Sequence, residues 1–219
     1  MASVAERTVS LSVCGLTFRW SDVGPAWADW STTLRPGLTV VIGGDGAGKS
    51  TLLRLLATAL QPQAGELALH GLADRRSPLM AWPHPQAYRQ HVFWCDPASD
   101  ALDPLGARDY VQHHRLAHAQ WSESRLNALL LDLGLDGHLH KPLLGLSMGM
   151  RRKLRLACAL ASGATLTLMD EPHAALDRHS IGVVNDMLAD CATSHQRMFV
   201  STAYEAPDDC ADASLIHLP

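Results

Sequence analysis

Leu38-Thr-Val-Val-Ile42 is an unbroken run of apolar and β-branched residues that leads straight into Gly43-Gly-Asp-Gly-Ala-Gly-Lys-Ser50. This junction constrains the fold more than any other part of the chain. A continuous run of this kind is the pattern of a strand buried on both faces, as in parallel sheets covered by helices. The segment after it matches the spacing G-x-x-x-x-G-K-S/T. Glycines let the backbone wrap closely around an anion, so that several N–H groups point inward. A helix starting at Lys49 adds its positive N-terminal end. On this reading Gly43, Gly44, Asp45, Gly46, Ala47, Gly48, Lys49, Ser50 and Thr51 form a phosphate cradle. Lys49 reaches the outer phosphates of a nucleotide, and the Ser50 hydroxyl binds Mg2+. The plain alternative is a glycine-rich turn before a helix. The order of buried strand, loop and apolar helix is the context that the phosphate motif demands.

The rest of the chain reads as alternating strands and helices. Val9, Leu11 and Val13 alternate with polar residues, and the turn-rich stretch Ser21 to Pro25 follows. Thr51 to Leu60 is expected as a helix with Leu52, Leu55, Leu56 and Ala59 on one face, stopped by Gly65. Glu66 to His70 is expected as a short strand. Ser122 is a plausible N-cap for a helix carrying Leu126, Leu129, Leu130 and Leu133. Strands return at Leu166–Met169 and Met198–Ser201, with a helix from about Asp177 to Asp190 between them. This alternation means a mostly parallel sheet covered on both sides.

Composition narrows the function. Apolar residues make up 47% and charged residues 18% of 219 residues, which argues against disorder. The net charge of −4 gives no support to broad nucleic-acid binding. Five widely spaced cysteines fit a reducing compartment better than a disulfide framework. The twelve histidines lack the spacing of a zinc site. No signal peptide is expected, and no apolar run has the length needed to span a bilayer. The chain is therefore expected to be soluble, with any membrane spans supplied by another chain.

Two further segments carry chemistry. Leu166-Thr-Leu-Met-Asp170-Glu171 is an apolar strand ending in two carboxylates. Asp170 is placed to hold Mg2+, directly or through water. Glu171 is placed to polarise an attacking water. Between this strand and the phosphate loop lies Leu146-Ser147-Met148-Gly149-Met150, followed by an Arg- and Leu-rich helix; after it comes Pro172-His-Ala-Ala-Leu176-Asp177.

In this order the segments resemble the nucleotide-binding subunit of ABC transporters over nearly the whole chain. The resemblance implies an α/β fold: a P-loop NTPase core with a mostly parallel sheet, an N-terminal antiparallel β subdomain and an inserted helical subdomain at about 97–147. It implies one ATPase domain over 1–219, binding ATP and Mg2+. Trp20 aligns with an aromatic that stacks on adenine, although ordinary core packing is an alternative for a large aromatic. Ser147 and Gly149 would contact the γ-phosphate of ATP held by a second subunit, and Asp177 would help close that interface. The basic residues Arg151, Arg152, Lys153 and Arg155 read as a solvated helix face.

Further implications concern partners. Such subunits form head-to-tail dimers, homodimeric or heterodimeric, and drive a transmembrane permease; nucleic acid is not a partner. The location implied is cytoplasmic, on the inner face of the inner membrane through the permease. Asp103-Pro-Leu-Gly-Ala-Arg108 and the end of the signature resemble the bacterial drug-exporter branch, without the C-terminal extension many of its members carry.

Three segments depart from the family pattern, at four positions. Met148 and Met150 replace Gly and Gln in the signature. Asp96, at the end of His91-Val-Phe-Trp-Cys-Asp96, replaces a Gln that binds Mg2+ and water; it is retained as a candidate metal ligand. Ala203 replaces a His that bridges the γ-phosphate and the catalytic Glu171. His173 is a candidate substitute, against a plain surface role. The expected function is an ATP-hydrolysing subunit of an exporter, slowed by these changes. The alternative is a nucleotide-gated, hydrolysis-poor subunit of a heterodimer or a regulator.

Overall fold

The computed structural model describes residues 8–20, 27–96, 101–205 and 212–218. The expected turn at Ser21–Pro25 lies outside them. Two sheets organise the chain. Strands β1 (Ser10–Phe18), β2 (Trp27–Leu34), β4 (Ala64–His70) and β5 (Leu79–Met80) form an antiparallel sheet in the order β2-β1-β4-β5. Strands β3 (Gly37–Ile42), β6 (Val92–Cys95), β7 (Leu166–Met169), β8 (Met198–Ala203) and β9 (Ser214–His217) form a parallel sheet in the order β6-β7-β8-β3-β9. The fold is thus the expected one: a parallel core beside an N-terminal antiparallel sheet.

The two-faced burial predicted for Leu38–Ile42 follows from side chains alternating across a strand. Leu38, Val40 and Ile42 enter one core with Phe93, Cys95, Met169 and Phe199. Val41 faces the other core with Val92, Leu168 and Val200. The first core is closed by helices α3 (Ala107–Ala117), α4 (Glu123–Asp132), α5 (Met148–Ala161) and α6 (Arg178–Ala192). The second holds α1 (Lys49–Leu56) between the sheets, where Leu52, Leu53, Leu55 and Leu56 meet Leu11, Leu16, Leu67 and Leu69. Each such side chain contributes roughly 1.5–3 kcal/mol of burial.

The helix of the phosphate loop is shorter than expected. It stops at Leu56, not Leu60, because Thr58 turns to φ 57°. Helix α2 (Pro85–Arg89) supplies the donors that this end needs. The Tyr88 hydroxyl donates to the Leu56 carbonyl at 2.9 Å, and Arg89 donates to the Thr58 carbonyl and hydroxyl at 2.6 and 2.9 Å. Gly65 therefore does not stop the helix. It lies in β4 at φ 103°, where an added Cβ would meet the β1 backbone at Leu16, 2.6 Å away.

Described residues between 101 and 147 form helices and turns, with one bridge from Gly106 to Pro142. Ser122 caps α4 by accepting from the Arg125 N–H, and Asp177 caps α6 by accepting from the Ser180 N–H. Helix α6 runs two residues beyond Asp190. No helix among the described residues is long and apolar enough to cross a membrane.

Candidate functional site

Parallel pairing brings the carboxyl ends of four neighbouring strands together. Cys95 pairs with Met169, Met169 with Ser201, and Ile42 with Ala203. The residues that follow them are therefore neighbours: Asp96, Asp170 with Glu171, Tyr204, and the loop from Gly43. A crevice outside the carboxyl ends of strands is where open α/β sheets bind ligands.

The loop itself is shaped for an anion. Gly46 and Gly48 adopt φ of 79° and 95°, which a side chain would resist. Gly43 is buried; an added Cβ there would lie 2.9 Å from the Ala47 Cβ. Helix α1 begins at Lys49 with no acidic residue in its first turn, so no carboxylate of the helix itself offsets its positive end. Lys49 is 6% exposed, and its ammonium donates to the Gly43 and Gly44 carbonyls at 2.6 and 3.0 Å. Ser50 is exposed at the same helix start. Thr51 accepts a hydrogen bond from the Trp20 indole at 3.1 Å. Trp20 is 60% exposed and meets Phe18 edge-on, which overturns the core-packing alternative and leaves its ring available beside the loop.

Asp170 and Glu171 are held by a residue that the sequence did not reveal. The Thr202 hydroxyl donates to the Asp170 carboxylate at 2.7 Å and accepts from the Glu171 N–H at 2.8 Å. Thr202 is buried on β8, so its hydroxyl fixes both acidic residues to the neighbouring strand. Arg152 of α5 donates to the Glu171 carbonyl. Glu171 itself sits at φ 45°, a left-handed conformation that costs a residue with a side chain about 1–3 kcal/mol. Such strain persists where surrounding contacts impose it.

Ser147 and Gly149 lie elsewhere, on the start of α5. Ser147 caps that helix by accepting from the Met150 N–H at 3.2 Å. Gly149 packs against the loop after Glu171, where an added Cβ would sit 2.7 Å from the Ala175 carbonyl. Lys153 pairs with Asp177 at 2.7 Å. That bond and the cap to Ser180 hold the Asp177 carboxyl well below the usual carboxylate range. The basic run is therefore only partly a solvated face: Arg151 and Arg155 pair with Asp103, and Arg155 also donates to the Asp96 carbonyl at 3.0 Å. Met148 is exposed. Among the described residues, no hydrogen bond joins Ser147 or Gly149 to the phosphate loop of the same chain.

The end of β8 differs most from expectation. Ala203 lies against the loop, its carbonyl accepting from the Gly43 N–H at 3.4 Å. His173 does not reach this place; its ring bonds Asn185 of α6 at 2.7 Å. Tyr204 does. Its hydroxyl donates to the Asp45 carboxylate at 2.6 Å, and its ring covers the Lys49 ammonium at 4.3 Å from the centroid. The hydrogen bond to Asp45 and the charges of Glu171 and Asp45 push the phenol up to about 12. The phenol, protonated at neutral pH in any case, is thus held more firmly in that form.

The donor set fits Mg2+ in a nucleotide complex. A hydroxyl at Ser50 and a carboxylate at Asp170 are hard oxygen ligands, and Mg2+ usually takes one or two carboxylates with phosphate and water. Thr202 occupies one Asp170 oxygen, which leaves the other for a metal.

Comparisons with known proteins agree with this geometry. Residues 28–174 match the family model described as "ABC transporter". The cytochrome c biogenesis ATP-binding export protein CcmA of Bordetella bronchiseptica is 39% identical over 156 residues, covering 71% of this chain and 67% of that protein. ABC transporter I family member 1 of Arabidopsis thaliana is 31% identical, covering 84% and 76%. Among solved structures, an ATP-binding subunit of an ABC transporter matches with a TM-score of 0.73 at 23% identity, covering 88% of this chain and 78% of that one. A bacterial Atm1-family ABC exporter with ATP bound matches with a TM-score of 0.69 at 20% identity, covering 90% and 35%. Identities this low bear on the fold alone; the family match and the closer sequence relatives carry the assignment. The chain belongs to the ABC transporter family, as one of its ATP-binding subunits.

Proposed function

We propose that this chain binds and hydrolyses ATP to power a transmembrane permease in export. The observation that carries this reading is the convergence of the phosphate loop, Asp170 and Glu171 at the carboxyl ends of adjacent parallel strands. In it, Lys49 and the loop N–H groups from Gly43 to Thr51 hold the phosphates, and Trp20 stacks on the base. Ser50 and Asp170 hold Mg2+, with Asp96 beside them; the bound ion offsets charge on the transferring phosphoryl group. Glu171 orients and polarises the attacking water. Ser147, Gly149 and Asp177 face the ATP of a second subunit in a head-to-tail dimer. Residues 1–219 act as one ATPase domain with 97–147 as its helical subdomain, on the cytoplasmic face of the membrane through the permease. The names of the relatives favour an export role without speaking to the drug-exporter branch. The alternative, a hydrolysis-poor regulator or degenerate half, is not favoured, because Glu171, Asp170 and the complete loop are all present.

Hydrolysis is slow on this reading. Ala203 offers no side-chain donor, and one missing preorganised donor typically lowers the rate by about 10²–10³. Asp96 adds negative charge where a neutral side chain is usual. Steady-state phosphate release from MgATP tests this. Ala203→His is expected to raise release by about tenfold or more. Unmodified protein turning over near 10 per second, a typical enzyme rate, would contradict the slow reading.

A further inference from the structure

We infer that Tyr204 is the residue through which this chain tells a nucleoside triphosphate from a diphosphate. The inference rests on the reading of the loop as an ATP site. It starts from placement: Tyr204 follows β8 directly, one position beyond the Ala203 that cannot donate. Its hydroxyl reaches the loop residue Asp45, and its ring lies over the Lys49 ammonium, the group that the motif directs at the outer phosphates. The phenol is thus already at the outer-phosphate end of the cradle.

The chemistry of the phenol fits the task. Like any phenol it is an O–H donor across the neutral range, and Asp45 and Glu171 oppose its ionisation further. Its acceptor in the absence of nucleotide is a carboxylate. A terminal phosphate is an anionic acceptor too, so one charge-assisted hydrogen bond replaces another. Asp45 and that phosphate repel each other, and a donor between them relieves the repulsion. Tyr204 is 53% exposed, so little packing opposes the movement needed. A diphosphate lacks the terminal group and leaves the phenol on Asp45. The hydroxyl neither accepts nor releases a proton readily at neutral pH, so it senses the third phosphate without restoring the function of a histidine. Discrimination and slow turnover are therefore compatible.

Tyr204→Phe removes the hydroxyl and keeps the ring over Lys49. Equilibrium binding to the full chain would be measured with the Mg2+ complexes of ADP and of the β,γ-imido analogue of ATP. The variant loses the bond to the phosphate in the complex and the bond to Asp45 in the free chain, so the net loss in analogue affinity is the difference between them, expected at about 3- to 10-fold. ADP affinity is expected to change by less than about twofold, so the preference for the triphosphate falls by a similar factor. Equal weakening of both ligands overturns the inference, as it marks a structural role. Tighter binding of both also overturns it, because Tyr204 is then a plug. If the natural chain binds both nucleotides and the variant matches it, this inference alone falls. If the natural chain binds neither, the ATP-site reading falls with it.

Discussion

Lys49→Met is expected to remove at least about two thirds of the thermal stabilisation that MgATP gives this chain, while the ligand-free melting temperature stays nearly unchanged. Among the described residues no carboxylate forms an ion pair with the buried Lys49 ammonium; it rests on two loop carbonyls and an aromatic ring. Taking away a buried charge with no counter-ion relieves a desolvation penalty, which offsets the two lost hydrogen bonds. The effect on the ligand is different. Removing one partner of a buried charge pair costs about 2–5 kcal/mol, roughly 30- to several-thousand-fold in affinity. At a hundredfold excess over Kd, a ligand stabilises the folded state by about 2.7 kcal/mol. For a chain of this size that is roughly 5–10 °C in melting temperature. The natural protein is expected to show this rise with MgATP and Lys49→Met, at the same ligand concentration, about 3 °C or less. An equal rise in both would remove Lys49 from the site.

Arg197→Ala is expected to destabilise the fold by about 3 kcal/mol, or roughly 6–12 °C. Arg197 lies just before β8 and binds together three elements. Its guanidinium donates to the carbonyls of Ala164, Leu160 and Ala159 at 2.8, 3.2 and 3.5 Å, and to the Thr167 hydroxyl at 3.3 Å. It also lies over the Phe199 ring at 4.8 Å. The Ala159 and Leu160 carbonyls belong to the last turn of α5, whose orphan acceptors and negative dipole end favour a cation. Burial lowers this guanidinium to about 10, which still leaves it charged at neutral pH. Arg197→Lys is expected to recover only part of the loss, because a point charge cannot copy the planar fork. Thermal or denaturant unfolding checks both variants. A stability unchanged by Arg197→Ala would show that water replaces the guanidinium without penalty.

Local patterns made much of the fold legible. The β3 run, the loop and the cap at Ser122 each depend on residues within a few positions of one another. Parallel-sheet strands also showed as apolar runs, because both of their faces are buried. The length of α1 was not legible, because its end is set by Tyr88 and Arg89, about thirty residues away. The same applies to the site. Lys49, Asp170 and Glu171 were visible in motifs, whereas Thr202 and Arg152 act on Glu171 from 31 and 19 positions away. Tyr204 meets Asp45 across 159 positions. Its only local signal is an aromatic placed directly after a strand that lacks the expected histidine. Strand order, not local pattern, brings these side chains together.

The central claim is that the crevice at the carboxyl ends of β3, β6, β7 and β8 hydrolyses ATP. Phosphate release from MgATP by the full chain, alone and with its permease, tests it most directly beside Glu171→Gln. Loss of the group that polarises water is expected to lower release by about 10²–10⁴ while the variant still binds ATP. The account predicts release by the natural chain clearly above that of the variant. Equal release from the two in every mixture, with ATP still bound, would contradict it.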